Sequence, residues 1–206
     1  MRIAVIDSGI HPGHPHVGAV AGAVHCTAEG LGHDPVDRLG HGTAVAAAIR
    51  EKYPAAELFA VKVFDRRLTA PIGALLQALA WCRDARMDVV NLSLGTANPA
   101  HRAALEEALR GNGIVVSAAG MLPGSLEGVA AVEADPACPR DRFRYRNGVY
   151  LASPYPRPIP GVPPERNLYG VSFAVANMTG FLALALESAG RAELWTALRL
   201  RAEAAA

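Results

Sequence analysis

Short apolar runs rich in β-branched residues alternate along this chain with stretches of helical periodicity. The runs at 89–92 (VVNL) and 114–116 (IVV) have little polar interruption, which is typical of parallel strands covered on both faces. Just before the first of these runs, leucines at 75, 76 and 79 recur at helical spacing. This alternation predicts βαβ units, and therefore an α/β fold with a mostly parallel central sheet flanked by helices.

The same pattern places the individual elements. The predicted strands cover residues 2–6, 18–25, 57–64, 88–92, 113–117 and 128–133. The predicted helices cover residues 42–52, 72–86, 99–111 and 173–187, with a last helix over 191–206. Prolines recur between 154 and 164, and we expect 138–167 to form polyproline-like coil at the surface. No repeat divides the chain, and residues 1–206 are predicted to form a single domain with one substantial core.

Charge and composition argue against two classes of partner. The chain carries a formal net charge of +1 and is 51% hydrophobic, so neither nucleic acid nor an anionic membrane is an expected partner. The first predicted strand begins directly after Met1, without the regions of a secretory signal, and no uninterrupted apolar run reaches the length of a membrane span. The cysteines at 26, 82 and 138 have no metal-like spacing and indicate free thiols in a reducing compartment. We therefore expect a cytoplasmic protein.

Three polar residues stand where apolar runs give way to glycine or to a helix. Asp7 ends the first predicted strand, His41 lies between two glycines before an alanine-rich helix, and Ser172 begins an apolar helix. Taken singly, each has a simpler interpretation: a turn aspartate, a capping or surface histidine, and a serine N-cap. Taken together, a carboxylate, an imidazole and a hydroxyl are the parts of a charge-stabilised nucleophile system.

The segments IAVIDSGI around Asp7, GHGTAVA around His41 and GVSFAVANMTG around Ser172 resemble, in this order, the catalytic segments of the subtilisin-like serine proteases (subtilases, peptidase family S8). The chain is similar to a compact form of that family without a prodomain. The resemblance implies the three-layer subtilisin-like fold and a serine endopeptidase. It also implies that Ser172 attacks the scissile carbonyl, that His41 acts as general base and then acid, and that Asp7 orients and stabilises the imidazolium.

Further segments resemble the substrate-binding parts of the family. A peptide or protein substrate would lie extended between two edges, above the floor of a pocket for the residue that precedes the scissile bond. By resemblance, the first edge is Leu68, Thr69 and Ala70, the second is Ser93, Leu94 and Gly95, and the floor is Ala118, Ala119 and Gly120. At 68 and 70 the family usually has glycine, so these side chains predict a narrower groove.

The chain departs from the family at Met121. The family normally has an asparagine here, whose amide donates to the oxyanion, and a thioether has no N–H to donate. The backbone N–H of Ser172 remains as a donor at the oxyanion position, and Asn147 or Asn177 could substitute only if the fold brings one into the cleft. We therefore expect limited processing of a specific peptide or precursor. The alternative is an impaired member that binds a peptide or a partner protein with little turnover.

Weaker signals lie around these segments. Loop 121–124 is shorter than in the family, which predicts a pocket that is shallower or open on one side. The histidines His11, His14 and His16 could bind a metal, but the prolines between them break any regular helical spacing, and we expect no metal or cofactor. The polar residue Asp37, just before the histidine of the triad, is expected in a solvated loop.

Overall fold

The computed structural model describes residues 1–32 and 34–203, and within these ranges the strands form one nine-stranded sheet. In chain order the strands are β1 Arg2–Asp7, β2 Gly22–Thr27, β3 Gly30–Gly32, β4 Glu57–Lys62, β5 Val89–Leu92, β6 Ile114–Ala118, β7 Ala130–Ala134, β8 Phe143–Arg146 and β9 Val149–Ala152. Their order across the sheet is β3-β2-β4-β1-β5-β6-β7-β9-β8. The edge strands β3 and β8 pair antiparallel, and the strands between them run parallel to one another.

Helices cover both faces of this sheet. They are α1 His41–Lys52, α2 Ile72–Asp84, α3 Arg102–Leu109 and α4 Val171–Glu203, and short 3-10 helices at Pro99–His101 and Pro164–Arg166 precede α3 and α4. α1 and α4 pack together on one face, whereas α2 and α3 cover the other, and each face has its own hydrophobic core. The predicted three-layer α/β fold with a mostly parallel central sheet is therefore confirmed.

Strands β5 and β6 are buried along their whole length, as their continuous apolar runs predict. All four residues of β5 are buried, including the polar Asn91. Its amide oxygen accepts a hydrogen bond from the Thr179 hydroxyl of α4 at 3.0 Å, and its amide nitrogen donates to the Ser93 hydroxyl at 3.0 Å. A buried amide is tolerated in the core because both ends are hydrogen-bonded, and the first of these bonds links β5 to α4.

Helix α4 runs through the core and is interrupted at Gly190. This residue has φ of 74° and ψ of 172°, non-helical values that separate the two helices predicted over 173–187 and 191–206. The last three residues of the second prediction lie outside the described residues. By length and composition alone Val171–Ala202 could cross a membrane, but 61% of its most apolar window is buried inside the protein. α4 is therefore a core helix of this fold.

The prediction of continuous surface coil over 138–167 is wrong for the first half of this stretch. Its first half forms the hairpin of β8 and β9, and β9 pairs in parallel with β7. The run of prolines begins only at 154, after β9 has ended, and so leaves 143–152 free to pair. Asn147 and Gly148 form the turn with φ values of 51° and 85°, as the Asn-Gly pair of a two-residue hairpin requires. The short strand β3 at the opposite edge also lies outside the predicted strands.

The carboxyl ends of the parallel strands meet at one edge of the sheet, where ligand sites of such folds form. Asp7 is the last residue of β1, residues 93–95 follow β5, and residues 118–120 end and follow β6. Residues 68–70 lie between β4 and α2 at the same edge. The helical layer supplies the remaining side chains, because His41 is the first residue of α1 and Ser172 the second residue of α4.

Candidate active site

Asp7 and His41 form a close pair. The Nδ1 atom of His41 lies 2.8 Å from Oδ1 and 2.9 Å from Oδ2 of Asp7. The Asp7 side chain is fully buried, and its Oδ1 also accepts hydrogen bonds from the backbone N–H of Ser8 at 2.7 Å and from the Ser8 hydroxyl at 3.2 Å. A carboxylate on Nδ1 fixes the orientation of the imidazole, which leaves Nε2 as the nitrogen available to a reacting group.

Two glycines allow the start of α1 to approach β1 this closely. Gly40 precedes the helix with φ of 74°, a left-handed conformation that favours glycine. A Cβ atom on Gly42 would lie 2.1 Å from the backbone oxygen of Gly9 and 3.2 Å from Oδ1 of Asp7. Any side chain at this position would push the helix, and His41 with it, away from the carboxylate.

Asp37 lies in a loop, as predicted, but its carboxylate is hydrogen-bonded to the same junction and is not simply solvated. Its Oδ1 accepts hydrogen bonds from the Ser8 hydroxyl at 2.9 Å and the Gly40 N–H at 2.8 Å, and its Oδ2 accepts from the Thr43 N–H at 2.9 Å. These bonds satisfy N–H groups that a helix start leaves unpaired and connect them to the residue after Asp7. An acidic residue just before a helix is the sequence signal for this role.

The surroundings of His41 favour its charged form. Burial opposes the imidazolium, but the hydrogen bond and negative charge of Asp7, together with the charge of Asp37, outweigh burial and raise the pKa of His41 above its usual range. An imidazole in this setting is suited to accept a proton from a neighbouring hydroxyl and to hold it until a leaving group needs it.

Ser172 directly precedes a residue that contacts the His41 ring, and its hydroxyl forms a hydrogen bond elsewhere. The ring of Phe173, the next residue, has its centroid 5.4 Å from that of His41. The Ser172 hydroxyl donates to the backbone carbonyl of Ser93 at 3.2 Å, and the Ser93 hydroxyl donates to the carbonyl of Ser172 at 3.2 Å. Among the described residues, this carbonyl is the partner of Ser172 Oγ, and no hydrogen bond joins Oγ to His41. The structure thus pairs Asp7 with His41, whereas the Ser172 hydroxyl is bonded to the second substrate edge.

Met121 packs against that second edge. The backbone N–H of Thr96 donates to the Leu122 carbonyl at 2.8 Å, and the N–H of Leu122 donates to the Thr96 carbonyl at 3.0 Å. A Cβ atom on Gly95 would lie 3.0 Å from Met121 Cβ and 2.9 Å from the Leu122 oxygen, so this close approach depends on glycine. The segments that would line the pocket therefore meet directly, as a shallow pocket requires.

Neither asparagine considered as a substitute donor points into the crevice. Asn177 is fully buried in α4, and its amide nitrogen donates to the carbonyls of Ser153 at 3.0 Å and Tyr155 at 3.1 Å, which ties the start of the proline-rich stretch to the helix. Asn147 is exposed in the turn between β8 and β9 at the margin of the sheet. Neither asparagine therefore supplies the hydrogen-bond donor that Met121 lacks.

The other predicted substrate residues lie along the same sheet edge with different exposure. In the first edge Leu68 is 51% exposed and Thr69 is also exposed, whereas Ala70 is partly buried. The floor residue Ala118 is buried at the end of β6, and the N–H of Ala119 donates to the Val132 carbonyl of β7 at 2.8 Å. The remaining members, which are the partly buried Leu94 and the exposed Gly120, continue the second edge and the floor.

Metal binding by the histidine segment 11–16 finds no support in the geometry. In the part of the chain that the structure describes, no three His, Cys, Asp or Glu side chains lie close enough to hold a metal ion. The rings of His14 and His16 contact edge to face, with centroids 5.5 Å apart. Within the same ranges the cysteines are buried and form no disulfide, and burial raises the pKa of the Cys26 thiol to about 11.

Comparison with known proteins shows which family the chain resembles in sequence. A family model described as "Subtilase family" matches residues 1–131. Two curated proteins of Bacillus subtilis (strain 168) are similar: minor extracellular protease Epr, with 38% identity over 105 residues, and subtilisin E, with 34% identity over 143 residues. The alignments cover 47% and 64% of this chain but only 16% and 37% of the relatives, so the chain spans well under half the length of either.

A solved structure is similar over most of the chain. The prenylagaramide maturation protease PagA superposes with a TM-score of 0.64 and 25% sequence identity, over 91% of this chain and 75% of that chain. The superposition covers a larger share of the chain than the residues matched by the family model.

Proposed function

Because the chain belongs to the subtilase family, we propose that it is a serine endopeptidase whose catalytic residues are Asp7, His41 and Ser172. The observation that carries the proposal is the Asp7–His41 pair at 2.8 Å, with Ser172 in the first turn of the adjacent helix. A purely structural histidine has no need of a buried carboxylate on Nδ1 and of a serine next in sequence to a residue that contacts its ring. A hydrolytic triad needs both.

The proposed reaction begins when Ser172 Oγ attacks the carbonyl carbon of the scissile peptide bond. Nε2 of His41 takes the hydroxyl proton, the C–O bond forms, and the carbonyl π electrons move to oxygen to give a tetrahedral oxyanion. The oxyanion then collapses, the C–N bond breaks, and the imidazolium gives its proton to the leaving amine. Water repeats the sequence on the acyl-enzyme and releases the acid. Asp7 stabilises the imidazolium in each half-reaction, in agreement with the raised pKa of His41.

The nucleophile must first turn away from the Ser93 carbonyl. Side chains exchange between staggered rotamers about the Cα–Cβ bond, and a different χ1 value redirects Ser172 Oγ toward the His41 ring. The hydrogen bond that is given up contributes about 1 kcal/mol net, which is small beside the barrier of peptide hydrolysis. The resting orientation therefore slows catalysis only slightly.

The oxyanion is stabilised less strongly than in relatives that carry asparagine at position 121. The N–H of Ser172 lies in the first turn of α4, where such groups have no intrahelical acceptor, and the helix dipole adds partial positive charge there. Met121 contributes no donor. Loss of one such donor costs about 10²–10³-fold in kcat, a magnitude measured in a subtilisin itself. We infer a slow enzyme.

Slow turnover in a narrow groove suits limited processing of a specific peptide or precursor. The exposed Leu68 and the direct meeting of Thr96 with Leu122 both restrict the substrates that can enter. The structurally similar PagA is named a maturation protease, which supports the same class of activity here. Rapid digestion of casein by the purified protein would contradict this role.

A second candidate function is binding of a peptide or partner protein with little turnover. It is favoured by the Ser172 hydroxyl, which is engaged with Ser93, and by the missing donor at Met121. The close pair of Asp7 and His41 argues for the enzyme, because a groove that only binds peptide gains nothing from a polarised imidazole.

Labelling with a fluorophosphonate probe, read by intact mass, separates the two candidates. The probe phosphonylates an activated serine, so we expect one adduct on the wild type and none on Ser172→Ala. A second control, Ser8→Ala, should still label, because Ser8 contacts Asp7 but is not the proposed nucleophile. If the folded wild type remains unlabelled over hours at millimolar probe, the endopeptidase proposal is wrong and the binding function takes its place.

A further inference from the structure

A cavity of about 510 Å³ lies next to the catalytic pair, between α1 and the proline-rich stretch. On one side it is lined by the histidine segment 11–16 and by Gly40 and Thr43, which flank His41 in sequence. On the other side it is lined by residues of 156–168, the segment that leads to Ser172. We call it the basic cavity, because arginine and histidine side chains line it.

Among the ionisable side chains that line the basic cavity, basic ones outnumber acidic ones. Arg157 and Arg166 both line it, together with the imidazoles of the histidine segment. The acidic side chain in the lining is Asp37, and its oxygens are occupied by the N–H and hydroxyl groups at the start of α1. Burial first, and then the charge of Arg157, lower the pKa of His16 below its usual range, as expected in a region of positive potential.

The two arginines are not paired with an acidic side chain in the described part of the chain. Elsewhere, Arg140 pairs with Glu51 and Arg144 pairs with Asp135. Arg157 instead donates one N–H to the backbone carbonyl of His16 at 3.1 Å, and in the described part of the chain neither it nor Arg166 forms an ion pair. A guanidinium offers five N–H donors in a planar fork that matches a carboxylate, so most donors of this pair are free for a ligand.

The basic cavity lies on the side of the site where we expect the substrate residues that follow the scissile bond. Residues 68–70 lead into α2, on one face of the sheet, whereas α1 and the proline-rich stretch lie on the opposite face with α4. A peptide that runs extended between 68–70 and 93–95 reaches Ser172 with its scissile bond. The residues that follow this bond then continue toward the α1 side, where the basic cavity opens.

We propose that the basic cavity binds a carboxylate in the part of the substrate that follows the scissile bond, either an Asp or Glu side chain or a C-terminal carboxylate. Arg166, exposed at the rim, and Arg157, half-buried in the wall, supply the hydrogen-bond donors. Ala44, Ala47 and Ile159 line the cavity as well and contact the aliphatic part of the bound residue. This inference rests on the proposed endopeptidase activity and adds a specificity to it.

A digest of a bacterial proteome, incubated with the enzyme and read by mass spectrometry, tests the inference. We expect Asp, Glu or the chain terminus to be enriched within the first four positions after the cut. One cleaved peptide is then synthesised with Glu and with Gln at the enriched position, each with a free and an amidated C-terminus. The charged form should be cut with about tenfold higher kcat/KM, equivalent to about 1.4 kcal/mol, and the four peptides distinguish a side-chain carboxylate from a terminal one.

Matched variants assign the effect to the cavity. Arg166→Gln should abolish the discrimination, so that the ratio of kcat/KM between the charged and uncharged peptides falls to about one. Arg110→Gln removes a similarly exposed arginine beyond α3, on the opposite face, and should leave the discrimination intact. Equal cleavage of all four peptides by an active enzyme overturns the inference and leaves the proposed function standing.

A binding measurement keeps the two proposals separable. If wild type and Ser172→Ala both cut nothing, the proposed function fails, and the cavity is tested by NMR with acetyl-Ala-Glu-Ala that has a free C-terminal carboxylate. We expect saturable shifts of the His14 and His16 imidazole protons, lost in Arg166→Gln and absent with acetyl-Ala-Gln-Ala amide. Equal shifts with both peptides, or none with either, overturn the inference as well.

Discussion

Replacement of Met121 by asparagine should accelerate the enzyme. The amide supplies the N–H that the thioether lacks, at a position that packs against the 93–95 edge. A donor of this kind is worth about 10²–10³-fold in kcat, or about 2.7–4 kcal/mol. The replacement is smaller than methionine, so its branch at Cγ fits into space that Sδ and Cε now fill.

The same substitution should lower stability, and this makes the two effects separable. Met121 is partly buried against the core beneath α1 and α4. Full burial of a methionine contributes about 1.5–3 kcal/mol, so loss of a half-buried one should cost about 1 kcal/mol. For a chain of this size, that corresponds to a fall in Tm of about 2–4 °C. An increase in activity together with reduced stability cannot be explained by better folding.

The assay is hydrolysis of p-nitrophenyl acetate and of one cleavable peptide, with active enzyme counted by fluorophosphonate labelling. Met121→Leu is the matched control, because it keeps the apolar volume, offers no donor and should leave kcat unchanged. If the asparagine variant is folded, labels fully and yet turns over no faster than the leucine variant, Met121 is not at the oxyanion position. The reasoning from the thioether would then be refuted.

Three substitutions test the junction between β1 and α1. Asp7→Asn should lower kcat by about 10⁴-fold and move the acid limb of the kcat/KM profile to lower pH. The wild-type limb should lie above about pH 6.5, because His41 must be neutral to act as a base and its pKa is raised. Asp37→Ala should cost about 2–4 kcal/mol in urea unfolding, through the lost hydrogen bonds to the start of α1. Gly42→Ala should destabilise by about 1–3 kcal/mol and slow fluorophosphonate labelling, since its Cβ meets a backbone oxygen at 2.1 Å; unchanged labelling would contradict this.

The layers of the fold follow from features that the sequence carries locally. A strand buried on both faces must be apolar at successive positions, as β5 and β6 are, and a covering helix repeats its apolar residues at 3.6-residue spacing. The composition of 138–167 does not predict the hairpin of β8 and β9, because the prolines that follow the hairpin dominate it. The Asn147-Gly148 pair was nevertheless a local signal for the turn.

The members of the site could be predicted, but their mutual arrangement could not. Asp7, His41 and Ser172 are recognisable because each ends or begins an element, and parallel topology carries such ends to one edge of the sheet. The role of Asp37 depends on hydrogen bonds to residues on both sides of it in the chain, Ser8 and Thr43. Contacts between distant segments of this kind leave no periodic pattern in the sequence.

Two features depart from an ideal catalytic site: the orientation of the Ser172 hydroxyl and the missing hydrogen-bond donor at Met121. Their free-energy costs differ, and the larger cost limits the proposed enzyme. The hydrogen bond from Ser172 to the Ser93 carbonyl is worth about 1 kcal/mol net, and rotation to His41 replaces it with another of similar strength. The missing donor at Met121 costs about 2.7–4 kcal/mol in the transition state, and neither Asn147 nor Asn177 restores it. The orientation of the serine is therefore a property of the resting state, which substrate binding can change. In the proposed mechanism the residue at 121 therefore limits the rate, and for this reason its replacement is the sharper test of whether this fold performs catalysis.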